Sequence, residues 1–169
     1  MHLFYLFSVW LHIVAAAVWI GGMVFLGVVL VPVIRRPESR DIAASLFQWT
    51  GRRFRWVGWV CLILLLLSGT FNLAYRGLDW SDLWSGEIWQ GPFGRALAFK
   101  LLVLFLVLLL SALHDFVMGP RATALWQRNP ASEEAMRLRR QVSWIGRLNL
   151  FLALVMVALG IVLVRGWPW

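Results

Sequence analysis

Four long apolar runs constrain this chain more than any other feature of its sequence. They cover residues 3–31, 56–76, 95–118 and 144–165. A helix of about 20 residues crosses the ~30 Å hydrocarbon core of a bilayer, so each run is long enough for one crossing. Only 14% of the residues are charged, about half the share typical of soluble domains, and the mean hydropathy is +0.76. The sequence therefore predicts an all-α, four-helix transmembrane bundle that forms a single domain over residues 1–169.

Proline, glycine and serine positions predict where these helices end. The predicted stops are Pro32 and Pro37 for the first helix and Gly119-Pro120 for the third. Residues 38–50 predict a short separate helix at the membrane surface, and Ser132 is the predicted N-cap of an extended fourth helix. No internal repeat is evident beyond a shared plan of helix, basic loop and helix.

The distribution of charge predicts the orientation. The net charge is +8, and most of the 16 Lys and Arg residues lie in the first and third connections. The positive-inside rule places these two basic loops in the cytoplasm and both termini outside. The first run is longer than the apolar part of a cleaved signal and has no basic segment before it, so we expect it to be retained. Because the arginines flank apolar runs, the predicted partner is the lipid bilayer and not nucleic acid.

Polar residues inside the apolar helices are the candidate functional groups, since their burial is costly unless they face the interior of the bundle. Helix one carries Met1, His12 and Met23 at intervals of eleven, which places them on one face. Helix three carries a comparable stripe of Lys100, His114 and Met118, and helix four adds Arg147 and Asn149 near its inner end. The alternative interpretation is structural: small and polar residues hold membrane helices together, and methionines fill cores.

The two intramembrane histidines are candidate ligands, because imidazole suits copper and haem iron while thioethers suit reduced copper. His12 lies about 14 Å below the outer end of its helix, and His114 about 21 Å if helix three enters the membrane near Lys100. A shared site then needs a tilt or an offset of the helices. If the membrane begins at Arg95, the two histidines belong to separate sites. No Cys-x-x-Cys or His-Glu-x-x-His spacing is present.

The segment WLHIVAAAVWIGGMVFLGVVLVPVI resembles the opening helix of the copper resistance protein D (CopD) family, and helix three resembles that family in Lys100 and its leucine run. The resemblance implies copper handling, commonly uptake, at the bacterial inner membrane. The candidate metal ligands are His2, His12, Met23, His114 and Met118. The candidate cofactor is a copper ion. The candidate protein partners are a second copy of this chain and a periplasmic copper-binding protein.

A second resemblance is to the HemJ-type protoporphyrinogen oxidases. It is carried by His12, Lys100, His114 and the Arg-x-x-Asn-like element at Arg147 and Asn149. It implies haem b, with the two histidines as axial ligands and Lys100 or Arg147 beside the propionates, in electron transfer or oxidoreductase chemistry. The chain departs from that pattern at GVVLVPVIRR and at Asn149-Leu150, where an acidic residue would follow. Copper handling without catalysis is the leading prediction, haem the alternative, and an assembly subunit the third.

Overall fold

The computed structural model describes residues 2–34, 36, 38, 40–129 and 132–166. All regular secondary structure in these residues is helical. The elements are α1 (His2–Ile34), α2 (Arg40–Tyr75), α3 (Trp80–Ser85), a 3₁₀ turn at Glu87–Gln90, α4 (Pro92–Arg128) and α5 (Glu133–Arg165). Four of them are long and apolar enough to cross a membrane. The protein is therefore a multi-pass, all-α membrane protein, as its sequence predicts.

The chain divides into two compact units, residues 1–80 and 81–169. In the first unit α1 packs along α2, and in the second α4 packs along α5. We call these units the first hairpin and the second hairpin. Arg35 and Pro37, to which the sequence assigns a basic loop and a helix stop, lie outside the described residues.

The first helix of each hairpin contains a π-helical segment. It covers Phe25–Leu30 in α1 and Leu113–Met118 in α4. In each case a proline follows two residues after the segment. Proline has no N–H to donate, and its ring clashes with the carbonyl four residues earlier, so a wider turn before it lets the helix continue. The prolines are thus accommodated within long helices.

Three predicted boundaries are wrong. Pro32 does not close the first helix, which runs on to Ile34. The Gly119-Pro120 pair does not close the third helix, which runs on to Arg128. Residues 38–50 do not form a separate surface helix, because α2 is continuous from Arg40. The predicted N-cap is confirmed: the Ser132 hydroxyl accepts a hydrogen bond from the Ala135 amide at 3.2 Å.

The two hairpins repeat one plan at a spacing of 88 residues. Their π-helical segments have this spacing, and so does an Arg-x-x-x-Trp-Val/Ile-Gly motif that begins at Arg52 and again at Arg140. The second helix of each hairpin is followed by a glycine with positive φ, 81° at Gly77 and 84° at Gly166, a conformation that glycine adopts without strain. The two hairpins therefore share equivalent positions 88 residues apart, within the common plan of helix, basic loop and helix that the sequence predicts.

The buried residues lie along the line where the two helices of each hairpin meet. In the first hairpin the buried apolar side chains include Ala15, Trp19, Cys61 and Leu62; in the second they include Ala96, Leu97, Val107 and Ala153. Most other large apolar side chains of the four long helices are exposed, as expected of helices that contact lipid. Each hairpin thus has a narrow seam in which a polar group needs a partner.

Candidate ligand site

His12 lies in the seam of the first hairpin. Its Nδ1 is 2.8 Å from the Ser68 hydroxyl on α2, and the ring is half-buried. Gly69, beside that serine, brings the α2 backbone close to the imidazole, because a Cβ at this position would lie 3.4 Å from the His12 Cε1 atom. The imidazole therefore faces the neighbouring helix.

The hydrogen bonds of Ser68 fix the tautomer of His12. The Ser68 hydroxyl donates its single proton to the Leu64 carbonyl one turn earlier on α2. Its oxygen must then act as the acceptor toward the imidazole, so Nδ1 of His12 carries a proton and donates it. In the neutral ring this places the lone pair on Nε2. A hydrogen bond at one nitrogen that orients the other toward a metal is the usual arrangement of a ligating histidine.

Two further contacts position this seam. The Ser8 hydroxyl donates to the Ser68 carbonyl at 3.4 Å. Toward the chain's N-terminus, Tyr5 of α1 stacks on Tyr75 of α2, with ring centroids 4.3 Å apart and planes inclined by 12°. This stack lies two helical turns from His12, about 10 Å along the axis. It closes one end of the seam.

In the first hairpin the sulfur-containing side chains of Met23 and Cys61 lie too far from His12 to share a metal ion with it. Met23 is half-buried but lies eleven residues beyond His12, about 16 Å along a helix, far more than two metal–ligand bonds can span. Cys61 is buried on α2, seven residues from Ser68 and so about 10 Å from the level of His12. A metal held here has His12 as its one clear protein ligand.

His114 lies in the π-helical segment of α4, where its Nδ1 is 2.8 Å from the Asp115 carboxylate. The histidine side chain is 35% exposed and the aspartate 20%. The carboxylate accepts the Nδ1 proton, so in the neutral ring the lone pair again lies on Nε2. Met118, one turn further along α4, is half-buried.

The remaining predicted site residues of the second hairpin have different environments. Lys100 points at the α5 backbone, since a Cβ at Gly160 would lie 3.5 Å from its Nζ. Asn149 is buried and donates to the Ser111 hydroxyl at 3.0 Å. Arg147 is exposed, with its guanidinium 5.8 Å from the centre of the Trp144 ring. The contacts described for Lys100, Asn149 and Arg147 are all with residues of the second hairpin.

His2, the candidate ligand at the start of α1, is exposed, and Met1 lies outside the described residues. Among the residues that the structure describes, no group of three or more His, Cys, Asp or Glu side chains could hold a metal ion together.

The sequence does not reveal Ser68 as the partner of His12, since a serine in a membrane helix is equally a packing residue. A pairing rule could have found it. In an antiparallel hairpin each step forward on one helix is matched by a step back on the other. Tyr5 with Tyr75 and His12 with Ser68 obey this relation, seven residues apart on both helices.

Comparison with known proteins shows the family. Residues 14–131, more than half of the chain, match the family described as "Domain of unknown function (DUF4149)", and the chain belongs to it. A protein of Aquifex aeolicus (strain VF5), described as "Uncharacterized protein", is 33% identical over 153 residues, which is 89% of each chain. No solved structure matches. His12 precedes the matched segment, whereas Lys100 and His114 lie within it.

Proposed function

We propose that this member of the DUF4149 family handles copper at the bacterial inner membrane, with His12 as its intramembrane ligand. The observation that carries the proposal is the hydrogen bond between His12 and Ser68 in the seam of the first hairpin. An ionisable side chain at this depth is costly to keep, and it is retained in membrane helices mainly where it has a function. Here it is oriented as a ligand.

The distance between His12 and Met23 suits the passage of a copper ion through the protein better than its storage at one site. A pathway needs sites that bind strongly enough to admit an ion and weakly enough to release it. A single imidazole at His12 and a single thioether at Met23, on one face of α1 and half-buried, meet this requirement for reduced copper. His2 in the first hairpin, and His114 and Met118 in the second, remain separate candidate positions for the ion. The CopD resemblance of α1 supports the same cargo.

A titration of the purified, detergent-solubilised protein with Cu(I), against a chromogenic chelator, tests the proposal. We expect Cu(I) binding in the unmodified protein and its loss in His12→Ala. The matched control is Ile13→Ala, because Ile13 adjoins His12 but is 62% exposed on the lipid-facing side. Equal binding in His12→Ala and Ile13→Ala, with both variants still folded by circular dichroism, would refute copper handling through His12.

Haem b is the second candidate, and one observation favours it. The described residues offer a lone oriented imidazole with no further ligand cluster. A porphyrin supplies four of the ligands of its iron, so a single axial histidine is enough. His12 would be that ligand through Nε2. The chemistry would then be electron transfer.

A visible spectrum of the same preparation separates the two candidates. Haem binding gives a Soret band that shifts on reduction with dithionite and disappears in His12→Ala. A Cu(I) signal without a Soret band favours copper. A protein that shows neither signal is best explained as an assembly subunit whose polar residues only pack its helices.

A further inference from the structure

A groove lies at the basic-loop end of the second hairpin, and Met118 is the one residue of its lining that is also a candidate metal ligand. Its volume is about 480 Å³, and it is lined by Met118, Arg137, Arg140, Gln141, Trp144 and Ile145. Met118 comes from α4 and the other residues from α5. The groove therefore lies between the two helices of one hairpin.

The arginines of this groove have no acidic partner among the described side chains. Glu133 and Glu134 precede Arg137 by about one turn, a spacing at which ion pairs often form. No carboxylate oxygen in the described ranges lies within 4.0 Å of either Arg137 or Arg140. Two guanidinium groups, each with a planar set of donors, thus line one groove with no carboxylate partner in the part of the chain that the structure describes.

The other wall of the groove is apolar. Met118 and Ile145 are half-buried, and the Trp144 ring is 60% exposed. Tryptophan is enriched at the level of lipid headgroups, where its ring contacts both apolar and polar matter. A soluble anion would gain nothing from this wall. A ligand with a phosphate next to an acyl chain matches both walls.

The first hairpin carries a smaller version of the same feature. A groove of about 200 Å³ is lined by Gln48, Trp49 and Arg52. Arg52 is the residue equivalent to Arg140 in the 88-residue repeat. At the 88-residue spacing Gln48 and Trp49 correspond to Met136 and Arg137, so the arginine at Arg52 and Arg140 is the element that the two grooves share.

We propose that the groove of the second hairpin binds the phosphate of an anionic phospholipid. Arg137 and Arg140 donate to the phosphate oxygens, and Trp144 and Ile145 pack against the glycerol and the first acyl carbons. Arginine is suited to phosphate because its fork of N–H donors contacts two oxygens at once. Basic pockets beside transmembrane helices on the predicted cytoplasmic side are typical sites for such headgroups.

The test compares phosphatidylglycerol retained by the purified full-length protein, measured by native mass spectrometry after exchange into mixed micelles. The groove variant is the double substitution Arg137→Gln and Arg140→Gln. Its matched control is Arg121→Gln and Arg128→Gln, which removes two exposed arginines from α4 of the same hairpin. We expect the groove variant to retain about tenfold less phosphatidylglycerol than the control, because it loses two charge-assisted contacts.

Equal losses in the groove and control variants would overturn the proposal, since they would show general electrostatic attraction. The unmodified protein gives a second measurement that does not depend on how the variants fold. We expect it to retain phosphatidylglycerol in preference to phosphatidylcholine, and inorganic phosphate at millimolar concentration to leave this preference unchanged. Displacement of the lipid by inorganic phosphate would identify a soluble-anion site and refute the lipid site.

Discussion

The two hairpins share a scaffold but carry different chemistry at equivalent positions. His12 in α1 corresponds in the repeat to Lys100 in α4, each twenty residues before the proline of its helix. His12 lies against α2 beside Gly69, and Lys100 lies against α5 beside Gly160. One position therefore holds an imidazole and the other an ammonium group, and only the imidazole has a lone pair for a metal.

The hairpins also differ in how closely their helices approach. In the first hairpin, added Cβ atoms at Gly22, Gly58 and Gly69 would contact side chains of the facing helix. Gly146, which corresponds to Gly58, has nothing within 4 Å of such a Cβ. The first seam is thus built on glycines around His12, whereas the second contains the hydrogen bond from Asn149 to Ser111. The glycines around His12 support the proposal that the ligand lies in the first hairpin.

Exchanging the two equivalent residues tests this comparison most severely. We expect His12→Lys to abolish Cu(I) binding, because a protonated amine has three donors and no acceptor. We expect Lys100→His to leave Cu(I) binding at His12 intact. The measurement is the chelator competition described above, with helicity by circular dichroism as the control for folding. Retention of Cu(I) by His12→Lys would break the assignment of the metal to the first hairpin.

Removing the partner of His12 should have the next largest effect. Ser68→Ala deletes the acceptor that holds the imidazole in its ligating tautomer. Loss of such a supporting hydrogen bond lowers metal affinity by about 10- to 100-fold. The control is Ser45→Ala, whose hydroxyl is exposed and donates to the Ile42 carbonyl on the same helix. An unchanged Cu(I) affinity in Ser68→Ala would show that the orientation of the ring does not matter for binding.

Some features of the fold follow from the local sequence alone, and others depend on contacts between helices. The four apolar runs predict α1, α2, α4 and α5 because span length depends only on hydrocarbon thickness and helix rise. The Ser132 cap is equally local: a side-chain oxygen and a nearby amide are enough to form it. These features need no knowledge of tertiary contacts.

Pro120 and Ser68 show why the remainder could not be predicted. A proline that ends a helix and one that a π-helical turn accommodates have the same sequence signature. The role of Ser68 depends on the register of α2 against α1, which no local pattern specifies. The 88-residue repeat was detectable in principle, since its Arg-Trp-Gly motif is present in the sequence. Apolar helices share so many leucines that such a signal is easily missed.

Close packing in the first hairpin gives the third prediction. A Cβ at Gly22 would overlap the Phe54 ring on α2, so Gly22→Ala should destabilise the first hairpin by about 1–3 kcal/mol, the usual cost of overpacking. Gly21→Ala is the matched control, since nothing lies within 4 Å of its added Cβ. That control should be neutral or stabilising by up to about 1 kcal/mol, because alanine is the better helix former. Unfolding in mixed micelles measures both variants, and equal stability would show that the helices do not rely on this glycine.

The smallest expected effect is in the second hairpin, where Asn149→Ala removes the hydrogen bond to Ser111. Hydrogen bonds between membrane helices contribute about 0.6 kcal/mol on average. The Oδ1 atom of Asn149 is buried and has no hydrogen-bond partner among the described residues, so its removal offsets part of the loss. A double-mutant cycle with Ser111→Ala isolates the coupling, and Cu(I) binding should remain unchanged in all three variants. A coupling above about 2 kcal/mol, or a loss of Cu(I), would mean that the second seam supports the ligand site and that the two hairpins are not specialised as their contacts indicate.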